Sequence, residues 1–212
     1  MRHVMVLNSK GGCGKSTLAT NIAVHFAREG AEVCIADYDT QRSSLDWLAQ
    51  RPADLPAIAG VPAYQEGLRN VARSTEVLVI DAPARVHGTE LNELVRRAAT
   101  IIVPVLPSSI DIKACSHFMA ELQEIGKVSR RQARLALVAN RVREYTLIYE
   151  ELDQYLSKLK IPYLGCLREA QNYVRAYSRG MGILELPEYL AAPDWEQWEP
   201  IIEWLDSKRS QP

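Results

Sequence analysis

The chain has few cysteines, and their spacing fits no common cysteine chemistry. The four residues, Cys13, Cys34, Cys115 and Cys166, are scattered without a C-x-x-C pair. This distribution suggests neither a zinc site nor the disulfide framework of a small secreted domain. We expect reduced, mostly buried thiols in a cytoplasmic protein.

Long apolar runs are also missing, as is an excess of charge of one sign. No run approaches the roughly 18 apolar residues of a membrane-spanning helix, so we expect a soluble protein with no membrane partner. The net charge of −1 neither favours nor excludes a polyanionic partner, because the distribution of charge decides that question. With 212 residues, 47% of them hydrophobic, the chain can bury one substantial core, and we expect a single domain over 1–212.

What the sequence does contain is a glycine-rich stretch, 8–17, between an apolar run at 4–7 and apolar residues at helical spacing from Leu18 onward. A glycine-rich turn between a strand and a helix lets backbone N–H groups converge on a phosphate. In such a loop Lys15 would reach the β- and γ-phosphates, and the Ser16 hydroxyl would bind Mg²⁺. The predicted nucleotide-binding residues of the loop are Gly11, Gly12, Cys13, Gly14, Lys15, Ser16 and Thr17.

The loop departs from the general phosphate-loop pattern in two places. Ser9 stands where the first glycine is usual, and a second lysine, Lys10, lies five residues before Lys15. In these respects the loop resembles the deviant Walker A loop of the ParA/MinD family of ATPases. The resemblance implies a homodimer with ATP sandwiched between the subunits, in which Lys10 crosses the interface to the partner's nucleotide. Lys10 and Lys15 are therefore candidate catalytic residues, with ATP and Mg²⁺ as cofactors.

Two further apolar runs end in carboxylates. Asp37 and Asp39 follow a predicted strand at 32–36, and Asp81 follows one at 77–80. The first site resembles the family's D-x-D-P-Q switch, with Thr40 in place of proline, and the second resembles its Walker B position. The resemblance implies that Asp39 orients the attacking water and that Asp37 supports it. The predicted metal site consists of Ser16, Asp37, Asp39 and Asp81.

The middle of the chain repeats the alternation of strand and helix. We expect a helix from about Asp111 to Lys127, with Asp111 capping its first N–H groups, and a strand at 134–139 with Asn140 at its end. By resemblance Asn140 reads the adenine edge, although a loop-capping role is the alternative. No Asn-Lys-x-Asp motif follows any strand, which favours ATP over GTP.

These elements predict an α/β fold. A doubly wound, mostly parallel sheet would have helices on both faces and the nucleotide at the carboxyl ends of its strands. The resemblance to the ParA/MinD family implies the P-loop NTPase architecture of the deviant Walker A class. Within it, 43–50 should form a short helix, whereas 51–62 is too rich in proline and glycine for a long element.

Positive charge collects in the second half of the chain. The segment from Lys127 to Arg143 contains six cations and no acidic residue. Such a distribution favours contact with phosphates, and in the ParA/MinD family the ATP-bound dimer binds nonspecific DNA through basic residues near the C-terminus. We therefore predict DNA contacts at Arg168, Arg175 and Arg179, against the alternative of an ordinary solvated surface. No helix-turn-helix pattern is present, so no sequence-specific binding is expected.

The C-terminal segment 194–206 has an amphipathic pattern. Its apolar stripe contains Trp195, Trp198, Ile202 and Leu205, and its opposite face is acidic, including Asp194. An anionic membrane surface would repel that face. We expect a terminal helix packed on the core.

The resemblance covers nearly the whole chain and is strongest with the small ParA proteins. It implies a weak, Mg²⁺-dependent ATPase that dimerises on the nucleoid, positions plasmid, chromosome or protein cargo, and is stimulated by a ParB-like or other adaptor protein. A MinD-like membrane-cycling regulator of the division site and an ATP-dependent metabolic ligase of the same fold are the alternatives. In the family the residues that follow Asp81, up to about Gly88, would form the second switch. An iron–sulfur dimer would need two suitably placed cysteines beyond it, and only Cys115 lies near.

Overall fold

Seven short strands form one sheet, and every neighbouring pair of strands is parallel. The computed structural model describes all 212 residues. The strands are β1 (Arg2–Val6), β2 (Val33–Asp37), β3 (Ile58–Val61), β4 (Val77–Asp81), β5 (Thr100–Val105), β6 (Arg134–Val142) and β7 (Tyr163–Arg168). The helices are α1 (Lys15–Arg28), α2 (Ser43–Leu48), α3 (Ala63–Glu66), α4 (Gly88–Val95), α5 (Ser109–Glu124), α6 (Gly126–Ser129), α7 (Leu147–Lys158), α8 (Gln171–Tyr177) and α9 (Glu188–Asp206).

The order of the strands across the sheet is β3-β2-β4-β1-β5-β6-β7, which confirms the predicted doubly wound architecture. The chain leaves β1 in one direction for β2 to β4 and in the other for β5 to β7. In open parallel sheets the point at which this direction reverses forms a crevice at the carboxyl ends of the strands. Here that point lies beside β1, immediately before the glycine-rich loop.

The sheet divides the core into two apolar clusters because alternate side chains of each strand point to opposite faces. Met5 and Leu7 belong to the cluster beneath α4, α5 and α7, whereas Val4 and Val6 belong to the cluster beneath α1, α8 and α9. All four side chains are fully buried. Burial on both faces explains why the strands have nearly continuous apolar sequences.

The proline- and glycine-rich region 51–62 contains an element that the sequence did not reveal. The edge strand β3 pairs with β2 there, with Ile58 opposite Val33. Only four residues take part, and the two in the middle are exposed. Such a short edge strand has too little apolar pattern to be recognised from sequence.

Helix α5 begins earlier than predicted, and its cap is a different residue. The Ser108 hydroxyl accepts a hydrogen bond from the backbone N–H of Asp111 at 3.0 Å, so Ser108 is the N-cap. Asp111 lies inside the first turn and accepts a hydrogen bond from the Ser108 hydroxyl. The prediction of an Asp111 cap is therefore wrong, because serine and aspartate are both good caps and the sequence offers both.

The terminal helix α9 packs on the core as predicted, although its buried stripe is shifted. Trp198 and Leu205 are fully buried, together with Ile201 and Trp204. No helix of the protein is both long and apolar enough to cross a bilayer. The apolar side chains of α9 are thus used inside the protein.

Asp194 was expected on the exposed acidic face of this helix, and that expectation is wrong. Its side chain is fully buried and accepts hydrogen bonds from Arg168 Nε at 2.6 Å and Nη2 at 3.1 Å. It also accepts one from Asn172 Nδ2 at 2.7 Å. The carboxylate thus joins β7, α8 and α9, a tertiary role that the helical pattern of the sequence cannot reveal.

We predict that Asp194→Ala destabilises the protein by about 3 kcal/mol, because it leaves the amide of Asn172 and the guanidinium of Arg168 without their acceptor. This loss of stability is at the low end of the range for breaking a buried ion pair, because the Arg168 side chain can turn towards solvent. Chemical denaturation measures the free energy of unfolding. Glu196→Ala, at an exposed position of the same helix, is the control and should change it by less than about 0.5 kcal/mol. Equal effects of the two substitutions would contradict the assignment.

Candidate nucleotide-binding site

The glycine-rich loop connects β1 to α1 through two residues in the left-handed region, Gly12 (φ 73°) and Gly14 (φ 90°). A side chain at Gly14 would also collide with the amide of Asn140. Helix α1 begins at Lys15 without a side-chain cap and without an acidic residue in its first turn. Its free N–H groups and partial positive charge are therefore available to an anion in the loop.

The two lysines of the loop take different directions. The Lys15 side chain is only 7% exposed, and its ammonium donates a hydrogen bond to the Lys10 carbonyl at 2.9 Å. Lys15, Ser16 and Thr17 line a cleft of about 1200 Å³ at the carboxyl edge of the sheet. The half-buried Lys10 does not line this cleft.

The first predicted carboxylate, Asp37, is buried and faces Asp81 across the register of β2 and β4. Its oxygens accept hydrogen bonds from three backbone N–H groups, those of Asp39 at 2.9 Å, Ser44 at 3.1 Å and Leu45 at 3.3 Å. Burial raises the pKa of Asp37, and these N–H groups oppose the shift. Asp37 thus holds the first switch segment and the start of α2.

Asp81 has one satisfied and one unsatisfied oxygen. Its Oδ2 accepts a hydrogen bond from the Ser44 hydroxyl at 2.6 Å, whereas its buried Oδ1 has no partner. Burial raises the pKa of Asp81 to about 7, although the nearby hydroxyls of Ser44 and Ser16 oppose the shift. An unpartnered buried carboxylate oxygen is costly, and a cation or its water would supply what it lacks.

The predicted metal residues do not form a cage of carboxylates by themselves. No group of three or more His, Cys, Asp or Glu side chains is positioned to hold a metal ion. Ser16 and Asp39 line the cleft, whereas Asp37 and Asp81 lie beneath it. Any cation here would need oxygen ligands from a bound phosphate or from water.

The cleft is rich in positive charge. Its charged lining consists of Lys15, Asp39, Arg85, Arg141, Arg143, Arg168 and Glu169. Arg141 and Arg143 share the Glu169 carboxylate, at 2.9 Å and 2.7 Å. The excess of cations suits a ligand with several negative charges, such as a polyphosphate.

Asn140 lies inside β6 rather than at its end, because the strand continues to Val142. The buried side chain donates a hydrogen bond from Nδ2 to the Cys13 carbonyl at 2.8 Å. Asn140 also lines the cleft. The amide therefore supports the phosphate loop, and its contact with adenine stays a prediction.

The three arginines predicted to contact DNA have different surroundings. Arg168 is paired with the buried Asp194, and the hydrogen bonds with that carboxylate raise the pKa of the Arg168 side chain. Arg175 and Arg179 are exposed on or just after α8. Only the latter two have charges that no ion pair offsets.

Sequence reasoning missed two residues that attach the segments following β2 and β4 to the rest of the site. Ser44 reaches Asp81, as described above, and Arg85 lines the cleft while its backbone N–H donates to the Ser9 carbonyl at 2.7 Å. Arg85 has a φ of 63°, which is unfavourable for a residue with a side chain. Neither belongs to a recognisable motif, so only their proximity in sequence to Asp37 and Asp81 could have signalled them.

A family model described as the CobQ/CobB/MinD/ParA nucleotide binding domain matches residues 4–183. The chain is 25% identical over 187 residues to maintenance of carboxysome distribution protein A from Halothiobacillus neapolitanus, with 85% of this chain and 86% of the relative covered. It is 26% identical over 191 residues to the chromosome-partitioning ATPase Soj from Thermus thermophilus, with 74% and 76% covered.

Several solved structures share the fold. A plasmid partition protein from Borrelia burgdorferi, bound to AMPPNP, superposes with a TM-score of 0.74 at 15% identity and covers 95% of this chain and 98% of its own. An ATP complex of Cyanothece McdA gives 0.71 at 14% identity, with 95% and 96% covered. Cobyrinic acid a,c-diamide synthase from Mycobacterium smegmatis, with an ATP analogue and magnesium, gives 0.72 at 15% identity, with 100% and 98% covered. Since the family model extends over well more than half of the sequence, the chain belongs to the CobQ/CobB/MinD/ParA family of nucleotide-binding domains.

Proposed function

We propose that this protein is a ParA-type ATPase that dimerises on ATP, binds nonspecific DNA, and hydrolyses ATP slowly until a partner protein stimulates it. Its task would be to position or segregate a plasmid, a chromosome or a protein cargo in the cytoplasm, in association with the nucleoid. The observation that carries the proposal is the two-lysine loop, in which Lys15 lines the cleft and Lys10 does not. A lysine that avoids its own cleft is available to a second subunit.

The cleft suits ATP with Mg²⁺. The unpartnered Oδ1 of Asp81 is an oxygen that needs a cation or a water bound to one. The residues that would hold Mg²⁺ are Ser16, Asp37, Asp39 and Asp81, the two buried carboxylates through water. A bound Mg²⁺ would neutralise charge on the β- and γ-phosphates. The structures of relatives with AMPPNP or with an ATP analogue and magnesium support this choice.

Exposed apolar side chains at the carboxyl edge of the sheet support a homodimer. Six large hydrophobic side chains are exposed in the whole chain, and four of them, Ile110, Tyr145, Leu147 and Val174, follow β5, β6 and β7 at the carboxyl edge. Tyr145 is 94% exposed and Leu147 is 84% exposed. Apolar side chains grouped at one edge are typical of an interaction surface. A second copy facing this cleft would cover them and bring its Lys10 close.

Nonspecific DNA and an adaptor protein are the proposed partners. Relatives named as a chromosome-partitioning ATPase, a plasmid partition protein and a carboxysome distribution protein support a positioning role. The sequence-based DNA contacts at Arg175 and Arg179 stay in the proposal, whereas the pairing with Asp194 weakens the case for Arg168. A ParB-like or other adaptor would stimulate hydrolysis.

The two alternatives are less well supported. A membrane-cycling protein of the MinD type would need an apolar stripe free to enter lipid, and the stripe of α9 is buried. A metabolic ligase of the same fold is consistent with the likeness to cobyrinic acid a,c-diamide synthase, but that interpretation does not explain the presence of Lys10. Sedimentation with anionic liposomes tests the first alternative, and the Lys10 variant below tests the second.

We predict that Lys10→Ala keeps ATP binding but loses ATP-dependent dimerisation and lowers hydrolysis by about tenfold or more, because one phosphate-contacting donor disappears from each site. Light scattering coupled to size exclusion measures dimerisation, and phosphate release measures turnover. Lys158→Ala, at an exposed position on α7, is the matched control. Unchanged dimerisation and turnover in Lys10→Ala would refute the cross-subunit role.

We predict that Asp39→Ala binds ATP normally but hydrolyses it about 100-fold more slowly, since the water-orienting carboxylate is missing. The ATP-bound dimer should then persist for longer in light scattering. Asp46→Ala, an exposed change in α2, should behave like the wild type. Wild-type turnover in Asp39→Ala would show that another group orients the water.

We predict that Asp81→Asn stabilises the nucleotide-free protein by about 2–4 kcal/mol at pH 8 and much less near pH 4.5. The pKa of Asp81 in the folded state, about 7, lies above its value in the unfolded chain. Between pH 4 and 7 the folded state therefore binds more protons than the unfolded state. The destabilisation caused by the buried Asp81 carboxylate thus grows as the pH rises through this range. Urea unfolding at several pH values measures the difference. The same variant should lose Mg²⁺-dependent ATP binding. A stability gain independent of pH would mean that Asp81 has an ordinary pKa.

A further inference from the structure

The amino edge of the sheet, opposite the cleft, has a concentration of positive charge that the nucleotide site does not use. We call it the basic pole and define it as Lys127, Arg130, Arg131, Arg134, Lys208 and Arg209. The segments that contain these residues, 125–134 and 207–212, have no Asp or Glu. None of the six side chains takes part in a salt bridge. None of the six cations therefore has an ion-pair partner, although Glu124 and Asp206 flank the two segments and Asp206 pairs with His25.

Specific hydrogen bonds hold the two segments of the pole together. Arg134 Nε donates to the Gln211 carbonyl at 3.1 Å, and the Thr100 hydroxyl donates to the Ser210 carbonyl at 2.6 Å. Ser210 is fully buried. The C-terminal tail is thus docked beside the start of β6, so residues that are far apart in sequence form one surface.

One residue of the pole adopts an unfavourable backbone conformation. Arg131 follows α6 with a φ of 57°, and its N–H donates to the Val128 carbonyl at 2.9 Å. Glycine or asparagine is the usual choice at such a left-handed position after a helix. Arg42, Arg85 and Arg141 have similar φ values, so this conformation is not specific to the pole, and glycine at position 131 would relieve it.

We propose that the basic pole binds the phosphate backbone of duplex DNA without regard to sequence. This inference rests on the proposed function and names a surface for its DNA partner. Four of the six residues are arginines, whose guanidinium groups can bind phosphate through two parallel hydrogen bonds. Three of them, Arg130, Arg131 and Arg209, are exposed. The surface around α8, by contrast, has only Arg175 and Arg179 without an acidic partner.

The pole fits DNA better than it fits an anionic membrane. Proteins that lie on membranes combine cations with several apolar or aromatic side chains that enter the lipid. Of the six large exposed hydrophobic side chains, only Met1 belongs to this edge, next to the start of β1. A surface of cations without apolar neighbours is typical of contact with a phosphate backbone.

The location of the pole has a consequence for ATP dependence. Because all strands are parallel, the pole lies at the end of the sheet opposite the cleft, so a dimer formed across the clefts leaves both poles accessible. Each pole would bind DNA without help from its neighbour, and dimerisation would raise affinity for long DNA through two simultaneous contacts. A short duplex, which can occupy one pole at a time, should bind equally well with and without ATP.

The experiment compares two matched double variants of the full chain, Arg130→Ala/Arg131→Ala in the pole and Arg175→Ala/Arg179→Ala near α8. Fluorescence anisotropy with two 15-bp duplexes of unrelated sequence, between 50 and 200 mM salt, gives the affinity and its salt dependence. We expect the pole variant to bind both duplexes more weakly and to lower the slope of log K against log salt by about 2. We expect a smaller change near α8. The reverse ranking would overturn the inference and leave DNA binding itself intact.

Arg131→Gly separates charge from folding. It should raise Tm by about 2–4 °C, since glycine relieves the backbone conformation, and should still weaken duplex binding. Wild-type affinity in this variant and in the pole double variant would refute the proposal.

Parallel measurements distinguish a failure of the inference from a failure of the proposed function. Dimerisation and hydrolysis are measured on the same proteins and should match the wild type in the pole variants. A wild-type protein that dimerises on ATP but binds neither duplex would refute both the pole and the DNA part of the proposed function. The wild-type protein is also sedimented with vesicles of phosphatidylglycerol. If it binds the vesicles but not the duplexes, and the pole variant loses vesicle binding, the pole binds membranes instead and the inference is overturned.

Discussion

The buried carboxylate of Asp81 is the constraint on which the rest of the site depends. The parallel register puts it opposite Asp37 on β2 and Val6 on β1, directly below the glycine-rich loop. One oxygen is bound by Ser44, and the other has no partner. A core of this kind is less stable than an apolar one, and it is consistent with selection for ligand binding at a cost in stability.

The two switch segments are attached to the site at different points. Ser44 stands at the start of α2 and reaches Asp81, so the first switch is held from within the sheet. The second switch is held at its start by the hydrogen bond from Arg85 N–H to the Ser9 carbonyl. At its far end, Glu121 of α5 accepts hydrogen bonds from His87 Nδ1 and Gly88 N–H, each at 2.8 Å. A phosphate or cation that changes either attachment would therefore alter the position of α2 or α4. The surface formed by these helices would then differ between nucleotide states.

The parts that could be predicted from sequence are those whose chemistry is local. The glycine-rich loop was recognisable because neighbouring residues provide the turn, the donors and the charge, and the buried strands were recognisable because both faces are apolar. The parts that escaped depend on distant residues. Nothing near Asp194 in the sequence indicates that Arg168 and Asn172 meet it, and helical periodicity alone assigned it to solvent. The sequence likewise did not show that three backbone N–H groups bind the Asp37 carboxylate, and its contact with a metal ion stays a prediction.

Net charge gave no information about polyanion binding in this protein, and the fold explains why. The acidic residues that balance the total, such as Glu196, Glu199 and Glu203 on α9, lie on the outer face of a helix that covers one side of the sheet, whereas the cations of the basic pole come from the turns before β6 and from the C-terminal tail. A parallel sheet gathers such turns at one edge, because every strand begins there. The charges cancel in the sum, but the cations of the pole form no salt bridge with these carboxylates. A neutral total is therefore compatible with an edge that attracts phosphate, and the three-dimensional arrangement, rather than the composition, carries the argument for a DNA-binding surface.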